Sequence, residues 1–379
     1  MNKTTKIILF IVAILIVLGG IWYGTSRKPA EKGAIKIGAI LPLTGKTSYI
    51  GEYMKEGIEL AKDEVNTQGG VKGRKLEIVY EDSQGDTQKG LTSYQKLVNI
   101  DGLKILLSGI SNVILGIAPL AEKDHALVFA IGAADPKISA AGDFIFRHNL
   151  LPQTEMKVLA DLVYNKKGYK QMAGIFVNTE SGVGYRDEFK KNFEALGGEI
   201  KIIEMYEKGA ADVRSQLTKI KATGVGAVMA GSYTQELGYI LKQSKELGLD
   251  VQWFSGYPAE GPELLKIAGD TANGLIYTHF FSPESSLLLV VEYQRKYKER
   301  YGKISESYAA LAYDNVKVLA EVMKKCSNPT DSTCVKNELY KVKDFAAVTG
   351  NITFDQNGDT HKEILIKTVR NGQFVPYSE

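Results

Sequence analysis

The sequence predicts an α/β protein: two doubly wound, parallel-sheet lobes preceded by one N-terminal transmembrane helix. Three observations carry that expectation. Residues 7–26 hold no charged side chain, and 7–23 is almost wholly apolar. From residue 34 onward, short apolar runs alternate with helical patterns, the rhythm of parallel sheets with right-handed crossovers. The alternation falls into two groups with consecutive helices near the end, which fits two lobes better than one barrel.

The apolar run comes first. At ~1.5 Å per residue it approaches the ~30 Å hydrocarbon thickness of a bilayer. Lys3 and Lys6 precede it, and Trp22 and Tyr23 stand where interfacial aromatics belong. The run ends in Gly19-Gly20-Ile21-Trp22-Tyr23-Gly24, without an Ala-x-Ala-like site or a nearby cysteine to carry a lipid. Segment 1–33 therefore reads as an uncleaved anchor, with a cleaved signal peptide as the alternative. The rest of the chain is then expected outside the cytoplasm.

Residues 35–41 read as a strand ended by Pro42 and Gly45, and Ile50, Met54, Ile58, Ala61 and Val65 recur on one helix face. A turn cluster at 66–73 precedes a strand at 76–80. Helix 87–99, strand 104–107, helix 113–123 and strand 127–131 complete the first group. The second group has helices at 154–166, 185–196, 213–222 and 235–247, and strands at 172–177, 200–205, 226–230 and 251–254. Helices at 286–301 and 305–325 follow one another. In open α/β sheets a ligand sits beyond the carboxyl ends of the strands. The segments to watch are 42–51, 108–112, 132–136, 178–184, 231–233 and 255–258, rich in Gly, Ser, Thr and Tyr.

Composition excludes several classes. A 44% hydrophobic and 24% charged chain is an ordinary globular protein, and its length allows two or three domains. The net charge of +3 misleads, because Lys3, Lys6, Arg27, Lys28 and Lys32 against Glu31 leave residues 33–379 at −1. No basic face is implied, and no nucleic-acid partner. The four histidines are scattered without ligand spacing, so no metal and no other cofactor is expected. Cys326 and Cys334 flank a turn-rich loop between helical patterns, where an extracytoplasmic disulfide is expected. Gly182-Val183-Gly184 lacks the third glycine of a dinucleotide loop, Asp187 standing there. No Walker loop or nucleophile elbow occurs. Glu81-Asp82 and Asp359 with Glu363 read as solvated ends and turns, and Asn351-Ile352-Thr353 as a chance sequon.

Several motifs now combine. Ile37-Gly38-Ala39-Ile40-Leu41-Pro42-Leu43-Thr44-Gly45 with Gly51, then Gly57-Ile58-Glu59-Leu60-Ala61, resembles the opening of type I periplasmic solute-binding proteins of the leucine/isoleucine/valine-binding branch. Asn66-x-x-Gly69-Gly70-Val71, Tyr80-x-Asp82-x-x-Gly85-Asp86, a late helix at Tyr308–Asp314 and a late strand and turn at 350–359 follow in the family's order. The resemblance runs from about residue 35 to 370. It implies two lobes joined by three crossovers near 149–152, 279–282 and 346–350. Lobe 1 would be 34–150 plus 281–347, and lobe 2 would be 151–280 plus 348–379.

The family's ligand serine falls on Ser111, with Asn112 beside it, and its next loop on Gly132-Ala133-Ala134-Asp135. Tyr233 matches the tyrosine that faces the ligand, and Tyr49, in the first loop, walls the pocket. Three departures stand out: Ala134 replaces the usual threonine, Ser181 a tyrosine, and Tyr257 the acid that pairs with an amino acid's ammonium. A buried ammonium without a counter-charge costs several kcal/mol, so these departures disfavour an ordinary α-amino acid unless Asp135 substitutes. Asp135 also suits an Asx-turn before Pro136, Ser111 a helix cap, and Tyr233 and Tyr257 packing at the sheet ends. The implied function is capture of a small polar molecule (amino acid, amide or carboxylate) by a monomer that delivers it to an ABC permease and its ATPase. A sensory ectodomain and a secreted hydrolase are the alternatives. The first would need a signalling partner, and the second lacks any nucleophile–base pair.

Overall fold

The computed structural model describes residues 33–378. The expected membrane segment lies outside them apart from Gly33. Among the described residues no helix is long and apolar enough to cross a membrane.

The first sheet has five parallel strands in the order β2-β1-β3-β4-β5. They are β1 (Ile35–Leu41), β2 (Leu76–Asp82), β3 (Ile105–Gly109), β4 (Leu127–Ile131) and β5 (Ile145–His148). β3 and β4 are buried along their whole length, which is why they read as continuous apolar runs rather than alternating ones. Helices α1 (Ser48–Thr67), α2 (Thr87–Gln95) and α3 (Ser111–Asp124) link them.

The second sheet has seven strands in the order β12-β11-β10-β9-β8-β6-β7. These are β6 (Gln171–Val177), β7 (Glu199–Tyr206), β8 (Ala227–Gly231), β9 (Gln252–Ser255), β10 (Ile276–His279), β11 (Leu365–Arg370) and β12 (Gln373–Pro376). Its helices are α4 (Pro152–Asp161), α5 (Glu180–Ala195), α6 (Arg214–Ala222), α7 (Thr234–Glu246) and α8 (Pro262–Ala268).

This sheet corrects the expectation of purely parallel pairing, since β10 pairs β11 and β11 pairs β12 antiparallel. For β11 and β12 the reason is local. Asn371 and Gly372 both adopt positive φ (52° and 68°), and an Asn-Gly turn of two residues joins only antiparallel strands.

The chain passes between the sheets after β5, after β10 and before β11. Between the last two passages lie α9 (Leu288–Tyr301), α10 (Ser307–Lys325) and α11 (Ser332–Leu339). α10 packs on α1 and β4, and all but four of its 19 residues are buried. The α1–α10 crossing is close enough that a Cβ on Gly57 would lie 2.0 Å from the Ala309 carbonyl oxygen. Glu306 starts α10 by accepting the Tyr308 and Ala309 N–H bonds at 2.8 and 2.7 Å, the role of an N-cap acid. A disulfide joins Cys326 to Cys334, between α10 and α11.

β5, β10, β11, β12, α8 and α11 are additions to the predicted elements. The expected late strand at 350–359 is a second correction, because only single bridges form there, Phe345 with Ile352 and Phe354 with Thr360. The Asp355 carboxylate takes the N–H groups of Asn357 (2.8 Å) and Asp359 (3.0 Å), and this local turn outcompetes a ladder.

Candidate functional site

A narrow cavity with about 20 Å³ of free space lies between the carboxyl ends of the two sheets, little more than room for one water. From the first sheet come Ile110 and Ser111 at the start of α3, Gly132 and Ala134 after β4, and Tyr308 from the first turn of α10. From the second come Ser181, Gly182 and Tyr185 in α5, Gly231 to Tyr233 after β8, and Gly256 to Pro258 after β9. No charged side chain is among the lining residues. Four helices, α3, α5, α7 and α10, begin at its edge, so their N–H ends point positive partial charge inward.

Each wall is fixed by its own hydrogen bonds. Ser111 Oγ accepts the N–H groups of Ala134 (3.1 Å) and Asp135 (3.2 Å), pinning the loop after β4. Ser111 is the first residue of α3, while the cap position belongs to Ile110. Ile110 has φ +72°, a strained conformation for a β-branched residue and of the kind found at functional sites. Across the cavity Ser181 Oγ and Tyr233 Oη lie 3.1 Å apart, and Thr179 Oγ1 accepts the Gly182 N–H at 3.2 Å. Burial raises the Tyr185, Tyr233, Tyr257 and Tyr308 phenols above their usual range. All four are therefore neutral hydrogen-bonding groups at physiological pH.

Tyr257 departs from the role expected of it. It lines the cavity, yet its hydroxyl is used by the opposite wall, donating to the Gly132 carbonyl at 2.8 Å and accepting from Asn149 Nδ2 at 3.0 Å. It thus ties the β9 loop to the β4 loop and to the first inter-sheet passage. Tyr53 Oη adds a bond to Glu263 Oε1 (2.8 Å), Lys46 Nζ one to the Lys208 carbonyl (2.8 Å), and Lys208 Nζ one to the Gly85 carbonyl (3.0 Å). With these bonds made, the two sheets are drawn together around the cavity.

The structure therefore brings Ser111, Gly132, Ala134, Ser181, Tyr233 and Tyr257 to one cavity, and places the other candidates elsewhere. Asn112 and Asp135 line an outer cleft with Asp86, Lys137, Glu180 and Lys208. Asn112 Nδ2 donates to Gly85 O and Thr87 Oγ1 at 3.2 and 3.0 Å. Asp135 accepts the Lys137 N–H at 2.7 Å and so caps the turn that follows, and burial raises its carboxyl. Ala133 is behind the wall, its carbonyl accepting from Asn149 Nδ2 at 3.0 Å. The Tyr49 hydroxyl is buried with no hydrogen-bond partner, outside the cavity lining.

Arg147 and Asp359 support this arrangement from below. Arg147 is fully buried. Its Nε pairs with Asp359 Oδ1, one terminal nitrogen with the Asp135 carbonyl and the other with Ser139 Oγ, each at 2.7 Å. One ion pair thereby connects the third inter-sheet passage to the β4 loop.

Sequence reasoning missed Ile110, Tyr185, Ser232, Gly256, Tyr308 and the buried acid behind them, Glu155. Ile110, Ser232, Gly256 and Tyr308 lay inside segments already singled out. Glu155 carried no signal, since an acid in the first turn of a helix is ordinary.

A family model described as periplasmic binding protein matches residues 34–373. A leucine-, isoleucine-, valine-, threonine- and alanine-binding protein of Pseudomonas aeruginosa is 27% identical over 330 residues, 86% of this chain and 87% of its own. A Leu/Ile/Val-binding protein homolog of Brucella abortus is 28% identical over 328 residues, 86% of this chain and 87% of its own. Among solved structures, a leucine binding protein from Thermotoga maritima superposes with a TM-score of 0.85 at 26% identity, over 91% of this chain and 98% of that one. A branched-chain amino acid transporter substrate binding protein from Streptococcus pneumoniae, in complex with isoleucine, gives 0.83 at 25% identity, over 90% and 97%.

Proposed function

The chain belongs to the periplasmic binding protein family, and on that premise we propose that it is the extracytoplasmic solute-binding protein of an ABC importer. Two lobes, 34–150 plus 281–347 and 151–280 plus 348–379, close around a small polar ligand: an amino acid, an amide or a carboxylate. Ser111, Gly132, Ala134, Ser181, Tyr233 and Tyr257 contact it, while Asn112, Ala133, Asp135 and Tyr49 support the loops around them. The closed form is handed to a permease and its ATPase. No bond is made or broken, so the protein is not an enzyme. The observation that carries this reading is the cavity walled by both sheets and bridged from Tyr257 to Gly132. A ligand that touches both walls favours the closed state by its differential contacts.

The relatives named for leucine, isoleucine and valine make amino acids the first compounds to test. Thermal unfolding with amino acids, amides and aromatic acids decides the matter. A true ligand at a hundred times its dissociation constant adds about 2.7 kcal/mol. Substrate turnover without any such shift would refute the reading.

Segment 1–33 is proposed as the tether to the outer face of the cell membrane, on the strength of its uncharged run. Membrane fractionation of the full chain and of a chain lacking residues 1–33 tests it. Full-length protein in the soluble fraction refutes anchoring.

A further inference from the structure

We propose that Lys362 is a positioning residue for lobe closure: it lies away from the ligand cavity, in the third inter-sheet passage, and holds the two sheets at the angle that closes the cleft. This rests on the solute-binding reading and adds to it the residue that sets the hinge.

The part of the third passage that can turn is short. The Phe354 ring packs on Phe129 of β4 and Phe146 of β5, with centroids 5.7 and 5.2 Å apart. The Thr360 N–H donates to the Arg147 carbonyl at 3.2 Å. The chain therefore follows the first sheet as far as Thr360, and β11 opens in the second sheet at Leu365. His361 to Ile364 are left to turn between them.

From that turn Lys362 reaches back to the side of the first sheet. Its Nζ donates to the Thr349 carbonyl at 3.1 Å and to Thr349 Oγ1 at 3.0 Å. Thr349 is itself fixed. The Asp314 carboxylate of α10 accepts the Val348 N–H and the Thr349 N–H, each at 3.0 Å, and the Thr349 hydroxyl at 2.7 Å. His148, where β5 leads into the first passage, meets the same hydroxyl with Nε2 at 3.1 Å and Asn315 Oδ1 with Nδ1 at 2.8 Å. One threonine thus joins α10, the root of the first passage and the turn of the third.

His148, Asp314, Asn315 and Thr349 are all buried, and all stay with the first sheet. The bonds from Lys362 are the ones that a rotation of β11 pulls on. Burial lowers the Lys362 ammonium to about 8, so at neutral pH it remains a cation and its bonds are charge-assisted. Phe280 and Phe281 of the second passage line the same groove as Lys362, which holds about 660 Å³ of free space. The turn has room to swing once the ammonium lets go, and the bonds made here count toward the closed state alone.

The test compares Lys362→Met, which keeps the reach of the side chain without its donors, with Lys362→Arg, which restores a cation. L-leucine is the probe, read by calorimetry, by urea denaturation of the free proteins and by small-angle X-ray scattering with and without it. Lys362→Met should weaken L-leucine binding by roughly tenfold and leave the urea midpoint of the free protein near wild type. Lys362→Arg should recover most of the affinity. Thr349→Val should cost less affinity when added to Lys362→Met than it does alone, because the two residues act through one bond. If Lys362→Met does not fold, Lys362→Gln takes its place. Affinity within twofold of wild type, additive losses in the double variant, or a loss matched by a fall in the urea midpoint overturns the proposal. If the wild type binds no L-leucine, the amino-acid part of the solute-binding reading fails and ligand-free scattering decides the hinge. A more open Lys362→Met protein supports the assignment, and a profile identical to wild type overturns it.

Discussion

Replacing Tyr257 by Phe separates closure from folding. The phenol is fully buried and makes two bonds, to the Gly132 carbonyl at 2.8 Å and from Asn149 Nδ2 at 3.0 Å. When the lobes part, water reaches Gly132 and the lost bond to it is replaced. The substitution therefore penalises the closed state far more than the open one. At ~0.5–1.5 kcal/mol net for each bond, the closed state loses about 1–3 kcal/mol, or roughly five- to 150-fold in the closure equilibrium. The ring remains, so its edge contacts with Phe280 and His279 keep the β9 loop packed. Two measurements read the effect: the radius of gyration by small-angle X-ray scattering at saturating ligand, and the dissociation constant of the best-stabilising ligand. The expected result is a weaker constant by that factor, with the denaturation midpoint of the free protein little changed. A dissociation constant within twofold of wild type would refute the cross-cleft assignment. A large fall in free-protein stability would place the role of Tyr257 within one lobe.

Three further outcomes follow from the same geometry. Ser111→Ala leaves the N–H groups of Ala134 and Asp135 without their shared acceptor; ligand affinity should drop and stability fall by about 1–3 kcal/mol, read by urea denaturation. Asp359→Asn leaves Arg147, fully buried, without its anion. A loss of about 3–5 kcal/mol is expected, and one below about 1 kcal/mol would show that Ser139 and the Asp135 carbonyl suffice. Glu155 has its carboxyl raised to about 7 from an ordinary 4.5. Its stabilising contribution is complete below that ordinary value and is lost as pH rises through about 7. Urea midpoints of the free Glu155→Gln protein, set against wild type, should therefore shift in the mutant's favour between about pH 5 and about pH 8. The ceiling is about 3 kcal/mol, at ~1.4 kcal/mol per pKa unit, and a pH-independent difference would contradict it.

What was legible in the chain had a local cause. The apolar periodicity of α1 and the continuous runs of β3 and β4 are written in each segment's own residues, whatever element covers it. Ser111, Gly132 and Tyr233 were found because they follow strand ends, where topology puts a ligand. The hairpin of β11 and β12 was also written locally, in Asn371-Gly372, and was overlooked because attention lay on the parallel alternation. Other features depend on pairs far apart in sequence. Tyr257 meets Gly132 across 125 residues and Arg147 meets Asp359 across 212, and no spacing rule reaches that far. Ile110 shows nothing unusual in type, since its strain exists only in φ. Glu155 becomes notable only when Gly256 and Tyr185 are seen to shield it.

The placement of α10 bears on how the protein is made. The strands it helps to cover are complete by residue 148, yet the helix spans Ser307–Lys325. A growing chain must hold β4 and the inner face of α1, with Met54, Ile58 and Ala61, uncovered while well over a hundred further residues are synthesised. Such a polypeptide stays loose until α10 arrives, which suits a product threaded through an export pore before it compacts. A fragment stopping short of Ser307 would present that bare surface permanently and clump.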